Sequence, residues 1–274
     1  MKKILGAIAA LAMTVGLAAC GTPVSQGTAN QNQLVVGMEA GYPPFNWTQN
    51  DDSNGAVKIQ GTDQYAGGYD VEIAKRVAKQ LGKELVIVKT EWDGLTPALV
   101  SGKIDAIIAG MSPTEERKAT IDFTDSYYDS QLVLVVKKGS KYANATSLAD
   151  FAGAKVTAQL NTFHYSVIDQ ITGVDKQAAM DNFPAMRVAL QAGTIDAYVS
   201  ELPEAISAQA ANSDFVMVKL TDGFKASPED TQTAVGVKKD SPLTKEINEA
   251  LKTISSEERQ QIMQDAIKNQ PAAE

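Results

Sequence analysis

The 274-residue chain carries 25 Lys and Arg against 33 Asp and Glu, a formal net charge of −8, with one His and one Cys. An acidic balance with no basic stretch argues against nucleic acid as a partner and against electrostatic attachment to anionic lipid. A single cysteine permits no intramolecular disulfide, so stability must come from a packed core.

Met1-Lys2-Lys3 is a basic start, residues 4–17 form an apolar run shorter than the ~20 residues of a membrane span, and Leu17-Ala18-Ala19-Cys20 sets small residues before the cysteine. This pattern is an export signal over residues 1–19 and resembles a bacterial lipobox. The resemblance implies cleavage before Cys20 and lipidation of its sulfur, which would anchor the protein to the outer face of the cytoplasmic membrane. Residues 20–33 are polar and without apolar period, a flexible tether. Loss of Lys2 and Lys3 leaves 23 basic residues against 33 acidic ones, a formal charge of −10. The ~240 residues that follow suffice for one large or two medium lobes.

Residues 34–38 read as the first strand, and the turn Glu39-Ala40-Gly41-Tyr42-Pro43-Pro44-Phe45-Asn46-Trp47 follows it directly. Two prolines stop any helix there, which places Glu39, Tyr42, Asn46 and Trp47 at a strand's carboxyl end, with Phe45 in the core. Aromatic residues around a carboxylate suit a polar or cationic side chain. Residues 51–64 read as loop. Asp70 is expected to cap a helix whose apolar stripe is Val71, Ala74, Val77, Ala78 and Leu81, closed by Gly82. Residues 84–89 are a β-rich run, after which Trp92 starts another helix in a position to face Tyr42.

Residues 98–106 read Ala-Leu-Val-Ser-Gly-Lys-Ile-Asp-Ala, and 91 positions later residues 189–197 read Ala-Leu-Gln-Ala-Gly-Thr-Ile-Asp-Ala, with six of nine positions the same. Trp92 falls opposite Phe183. Each copy reads as aromatic residue, short helix, Gly C-cap, strand and polar turn, so the chain holds two similar α/β lobes. In open α/β sheets ligands sit beyond the carboxyl ends of the strands, here residues 109–117 in one lobe and 200–201 in the other. In the first, Ser112-Pro113-Thr114-Glu115 has the form of a capping box with Ser112 as N-cap, and Arg117 lies in the first turn. Free N–H groups and a guanidinium suit a carboxylate, while Glu201 in the other lobe suits an ammonium. The simplest molecule with both is an L-amino acid.

Residues 121–128 lead into a buried-type strand at 132–136, and a boundary falls near 128–130. The second lobe continues with a helix at 147–151, a strand at 155–158 and the turn Gln159-Leu160-Asn161-Thr162-Phe163-His164, where Thr162 and the N–H groups after it can cap an anion. His164, the only histidine, lacks the partners for a His-based metal site or a Cys–His nucleophile. A strand at 215–218 precedes a second crossing near 226–231. A strand at 233–237 and helical patterns over 247–254 and 257–267 should pack back on the first lobe. Two crossings make a two-strand hinge. The expected division is lobe 1 over 34–129 and 229–274, and lobe 2 over 130–228.

From residue 34 to residue 267 the chain resembles the polar amino acid binding proteins of ABC importers, solute-binding protein family 3. The resemblance rests on residues 39–47, Gly68-Tyr69-Asp70-Val71, Trp92-Asp93-Gly94-Leu95, residues 102–106, Ser112-x-Thr114-x-x-Arg117, and Asp196-Ala197 through Glu201. It implies a type II periplasmic-binding-protein fold, α/β, each lobe a mixed sheet flanked by helices. It implies a binding lipoprotein rather than an enzyme, monomeric and without cofactor, that delivers its ligand to a permease driven by a cytoplasmic ATPase. By residue, it implies that Arg117 and Ser112 take the ligand carboxylate and that Glu201, more often Asp, takes the ammonium. Ala109 and Gly110 would offer backbone groups, with Tyr42 and Trp92 flanking the side chain and Glu39 near its tip. The family's Gly-Thr-Thr turn is Asn161-Thr162-Phe163 here, without the second hydroxyl. Glu39 between aromatic faces favours arginine, lysine, ornithine or histidine. Glutamine, another polar ligand or a small peptide is the alternative, and a dehydratase on the same scaffold is the rival from another class.

Overall fold

The computed structural model describes residues 32–271. The export signal, Cys20 and tether residues 20–31 lie outside the described residues. β1 (Gln33–Met38) is followed by four short antiparallel strands, β2 (Gly41–Tyr42), β3 (Asn46–Gln49), β4 (Val57–Lys58) and β5 (Tyr65–Gly67), in the order β2-β3-β5-β4. The segment read as loop at 51–64 thus holds a strand, because Val57 and Lys58 find partners in Ala66 and Tyr65. Then come α1 (Tyr69–Gln80), β6 (Glu84–Lys89), α2 (Leu95–Ser101), β7 (Ala106–Ile107), α3 (Glu115–Lys118) and β8 (Asp122–Asp129). The middle of the chain contributes β9 (Leu132–Lys137), β10 (Lys155–Thr157), α4 (Phe163–Val167), β11 (Asp175–Lys176), α5 (Phe183–Ala192), β12 (Ala197–Glu201), α6 (Leu202–Ala211) and β13 (Phe215–Val218). α7 (Pro228–Thr231), β14 (Gln232–Val237), α8 (Leu243–Lys252) and α9 (Ser256–Asn269) end it.

Two mixed five-stranded sheets result, β6-β1-β7-β14-β8 and β11-β10-β12-β9-β13. Their inner strands are continuous apolar runs such as Val133-Leu134-Val135-Val136, all buried, as strands covered on both faces must be. The internal repeat has the same structural work in each sheet. α2 ends at Gly102 with φ 79° and α5 at Gly193 with φ 74°, the left-handed cap that glycine adopts without strain. Three residues later, Asp105 Oδ2 accepts the Val35 N–H at 2.9 Å, and Asp196 Oδ2 accepts the Lys155 N–H at 2.9 Å. Each aspartate thereby ties its own strand to the neighbouring one. Where the chain passes between the sheets, the two crossing segments are hydrogen-bonded, Ser130 N–H to Thr231 C=O at 2.9 Å. α8 packs on β8 and α1, whereas α9, expected on the first lobe alone, also packs on α6, where Gln270 Nε2 donates to Ser207 C=O at 3.2 Å.

Asp70 does not cap α1. The cap is Gly68, with φ 120°, and the first N–H groups of the helix, those of Tyr69 and Asp70, donate to Pro44 C=O at 3.0 Å and Phe45 C=O at 2.7 Å. That docking brings the helix start so close to the Pro44–Phe45 backbone that a Cβ on Gly68 would lie 2.4 Å from the Phe45 oxygen. Asp70 is instead fully buried, accepting from Asn46 Nδ2 and from the Tyr127 hydroxyl, each at 2.8 Å. The Tyr127 oxygen in turn accepts the Gly110 N–H at 3.1 Å. Burial pushes the Asp70 carboxyl up to about 7, against the two hydrogen bonds that lower it.

Gly68→Ala is expected to destabilise the fold by roughly 2–4 kcal/mol through a disfavoured φ and a backbone clash. Gly61→Ala, at φ 76° with nothing within 4 Å of the added carbon, should cost only the roughly 1–2 kcal/mol of the left-handed conformation. Urea denaturation of the two variants separates the terms. Because the folded state holds the Asp70 proton more tightly than the unfolded chain, its contribution is fully present below about pH 3.8 and is lost as pH rises through about 7. Melting temperature measured across that window should fall less steeply in Asp70→Asn than in the parent.

Candidate functional site

Residues just beyond the ends of several strands meet between the two sheets. Tyr42, Trp92, Gly110, Ser112 and Arg117 from one side, with Gln159, Thr162, Phe163, His164 and Phe183 from the other, line a narrow cavity.

Arg117 sits on α3, whose cap is Thr114, not Ser112: the Thr114 hydroxyl accepts the Arg117 N–H at 3.4 Å. The Ser112 hydroxyl donates to Asp230 C=O at 2.9 Å, and the Ser112 carbonyl accepts from Arg117 Nη1 at 2.9 Å. Arg117 Nη2 donates across the cavity to Asn161 C=O at 3.1 Å. The Trp92 ring lies 5.0 Å from the guanidinium carbon, within cation–π range. No carboxylate among the described residues forms an ion pair with Arg117. Burial lowers its pKa to about 10, which leaves it charged at neutral pH.

Asn161 takes the left-handed conformation, φ 53°, which asparagine tolerates better than most residues and glycine adopts without strain. Its carbonyl also receives the Trp92 indole N–H at 3.5 Å, and its amide donates to Asp93 Oδ1 at 2.9 Å. Thr162 lines the cavity, but its hydroxyl proton goes to Gln159 C=O at 2.7 Å.

Tyr42 is flanked by Phe45 at 4.8 Å and Phe183 at 4.4 Å, both stacked, so its facing ring from the other lobe is Phe183 and not Trp92. Its hydroxyl is buried without a hydrogen-bond partner. Glu39 stands behind this layer: Gln159 Nε2 donates to its Oε2 at 3.0 Å, and its Oε1 has no partner. Burial pushes the Glu39 carboxyl up to about 7.

At the other end Glu201, almost fully buried, has its Oε1 3.1 Å from His164 Nε2, and its Oε2 has no partner. His164 lines the cavity; Glu201 reaches it through that bond. Beside them Glu204 is paired with Arg187 at 2.8 Å. Of the residues expected at the site, Tyr42, Trp92, Gly110, Ser112, Arg117 and Thr162 come together on one cavity, and Glu39 and Glu201 are one side chain removed. Asn46 is apart, spent on Asp70, and Ala109 is buried in the core. Gln159, His164 and Phe183 were not expected to line it. Phe183 was legible through its correspondence with Trp92 in the repeat.

The model of the bacterial extracellular solute-binding proteins, family 3, matches residues 34–268. The arginine-binding extracellular protein ArtP of Bacillus subtilis is 30% identical over 254 residues, 92% of each chain. The ABC transporter glutamine-binding protein GlnH of the same organism is 31% identical over 291 aligned positions, 99% of this chain and 100% of that one. Among solved structures, an amino acid ABC transporter substrate-binding protein, AbpA of Streptococcus pneumoniae bound to L-arginine, superposes with a TM-score of 0.74 at 28% identity, covering 87% of this chain and 95% of that one.

Proposed function

The chain belongs to the bacterial extracellular solute-binding proteins of family 3, and from that premise we propose that it captures a polar L-amino acid, by preference a basic one, between its lobes. The observation that carries the reading is Arg117. A half-buried guanidinium held by the carbonyls of Ser112 and Asn161, with no carboxylate partner among the described residues, calls for an anion, and a ligand α-carboxylate supplies one. Glu201, with a buried oxygen free of hydrogen bonds and its other oxygen on His164, is the matching group for the α-ammonium. The stacked rings of Tyr42 and Phe183, Trp92 and the Glu39–Gln159 pair are then left for the side chain. Arginine, lysine, ornithine or histidine would place a cation toward Glu39. A second reading, glutamine, is favoured by the same pair: a carboxyl raised to about 7 and already bonded to an amide suits an amide as well as a cation. The similarity to both an arginine-binding and a glutamine-binding relative supports keeping the two. In this reading the protein is not an enzyme; its cleft carboxylates bind and do not turn over. It would be a monomer, tethered through a lipid on Cys20 outside the cytoplasmic membrane, passing its ligand to an ABC permease and its ATPase.

The test is a thermal-shift screen of the purified protein, unfolded and refolded to remove carried-over ligand, against the twenty amino acids plus ornithine, citrulline and cystine. Any ligand present above its dissociation constant raises the melting temperature by mass action. Shifts confined to basic amino acids support the first reading, a shift with glutamine the second, and no shift with any amino acid refutes both. Arg117→Ala should weaken binding of the responding ligand at least ~100-fold, since a buried carboxylate loses its partner; titration calorimetry giving an unchanged affinity would remove Arg117 from the site. Glu39→Gln should weaken a basic ligand by roughly tenfold or more, through loss of a charged hydrogen bond, and glutamine by less.

A further inference from the structure

His164 stands between the cavity and the carboxylate that the proposed ligand amine requires. Its Nε2 is 3.1 Å from Glu201 Oε1, both side chains are buried, and His164 Nδ1 and Glu201 Oε2 have no other partner. Phe163 lies against its ring, centroids 4.3 Å apart with the planes tilted by 32°. A buried carboxylate whose one hydrogen-bond partner is an imidazole is best compensated when that imidazole carries the proton, for then the pair is an ion pair and not an isolated charge. An arriving ammonium would place a second cation on the same carboxylate in a water-poor site, which costs several kcal/mol unless one positive charge departs.

We propose that His164 is a proton-coupled positioning residue: as imidazolium it holds Glu201 in the unliganded protein, and it surrenders its proton when the ligand ammonium takes that carboxylate. This rests on the amine assignment of Glu201. Its consequence is that capture releases a proton, so affinity strengthens with rising pH, by up to about tenfold per pH unit.

The other charged and titratable groups nearby are few. On β12, Tyr198 donates its hydroxyl to Glu204, and Glu204 is paired with Arg187. On the turn after α4, Asp169 is paired with Lys176 at the surface. On the cavity itself are Arg117 and the Tyr42 hydroxyl, whose pKa burial holds well above its ordinary value. Glu39 stands behind Gln159, and Asp70 and Tyr128 lie near enough to Glu201 to feel its charge; burial raises both Glu39 and Asp70 to about 7, so these two carboxyls would also titrate near neutral pH.

His164 is the only histidine of the sequence, so imidazole NMR of untagged protein reads its protonation without any substitution. The probe is the amino acid of the screen that binds most tightly, L-arginine being tried first. On saturation the signal should move from imidazolium toward neutral imidazole. Calorimetry in buffers of different ionisation enthalpy should count up to about one proton released per ligand. That release should persist in Glu39→Gln and vanish in His164→Gln, which keeps a donor for Glu201 but cannot titrate. Binding with His164 protonation unchanged, or with the same proton count in His164→Gln, overturns the proposal while leaving the amino-acid reading standing. Failure of every amino acid to bind overturns both.

Discussion

A partly buried guanidinium held by backbone carbonyls is only half of an interaction. Arg117 gives one nitrogen to Ser112 C=O and another to Asn161 C=O, lies over Trp92, and meets no carboxylate among the described residues. Carbonyl dipoles and a ring face orient the cation but do not cancel its charge, and the cost of burying it remains until an anion arrives. Much of the surrounding structure serves that geometry. Thr114 caps the short α3 so that Arg117 falls at its N-terminal turn, and the Ser112 hydroxyl fastens the preceding turn to Asp230 C=O. In the proposed reading the site would select an anion because Arg117 meets no carboxylate among the described residues.

The first lobe's share of the site is fixed from behind. Asp70 takes hydrogen bonds from Asn46 and Tyr127, and Tyr127 takes the Gly110 N–H, so the turn bearing Tyr42 and the turn leading to Arg117 are tied through one buried carboxylate. Asn46 and Tyr127 belong to the site in this indirect sense. Tyr42 cannot shift independently, being stacked on Phe45, and a Cβ on Gly110 would lie 2.7 Å from the Tyr42 ring. Close approach of that turn to the ring, together with φ 63°, is why glycine stands at 110.

The repeat was the most legible feature of the sequence because its physical cause is local. Gly102 and Gly193 end helices in left-handed caps, and Asp105 and Asp196 bond to the adjacent strand, so the pattern is imposed by backbone chemistry that each lobe must satisfy. Strand order was not legible that way; the two α/β lobes were, from the repeat, while mixed sheets flanked by helices were expected only from the resemblance to the family. Residue-level misreadings came from side chains whose partners are distant in sequence. Asp70 has the form of a helix cap until Asn46 and Tyr127 are brought to it, and Ser112 has the form of a cap until Asp230 is. Residues 51–64 are polar enough for loop, and only pairing with residues 65–66 makes Val57 and Lys58 a strand. His164 gave no signal at all, because its meaning lies in a carboxylate 37 positions away.

The second lobe contributes contacts that exist only while the two lobes are together. Asn161 carries three of them: its carbonyl meets Arg117 and Trp92, and its amide meets Asp93. Phe183 against Tyr42 and Gln159 against Glu39 add a ring contact and a buried hydrogen bond across the same gap. Separation of the lobes would return all of these groups to water, which replaces polar partners readily and ring contacts poorly. Polar links therefore set the register of closure, while the ring stack supplies more of its free energy. In the proposed reading a carboxylate bound at Arg117 would stand beside the Asn161 carbonyl on the same guanidinium, so that anion capture and the contact between the lobes would meet at one side chain.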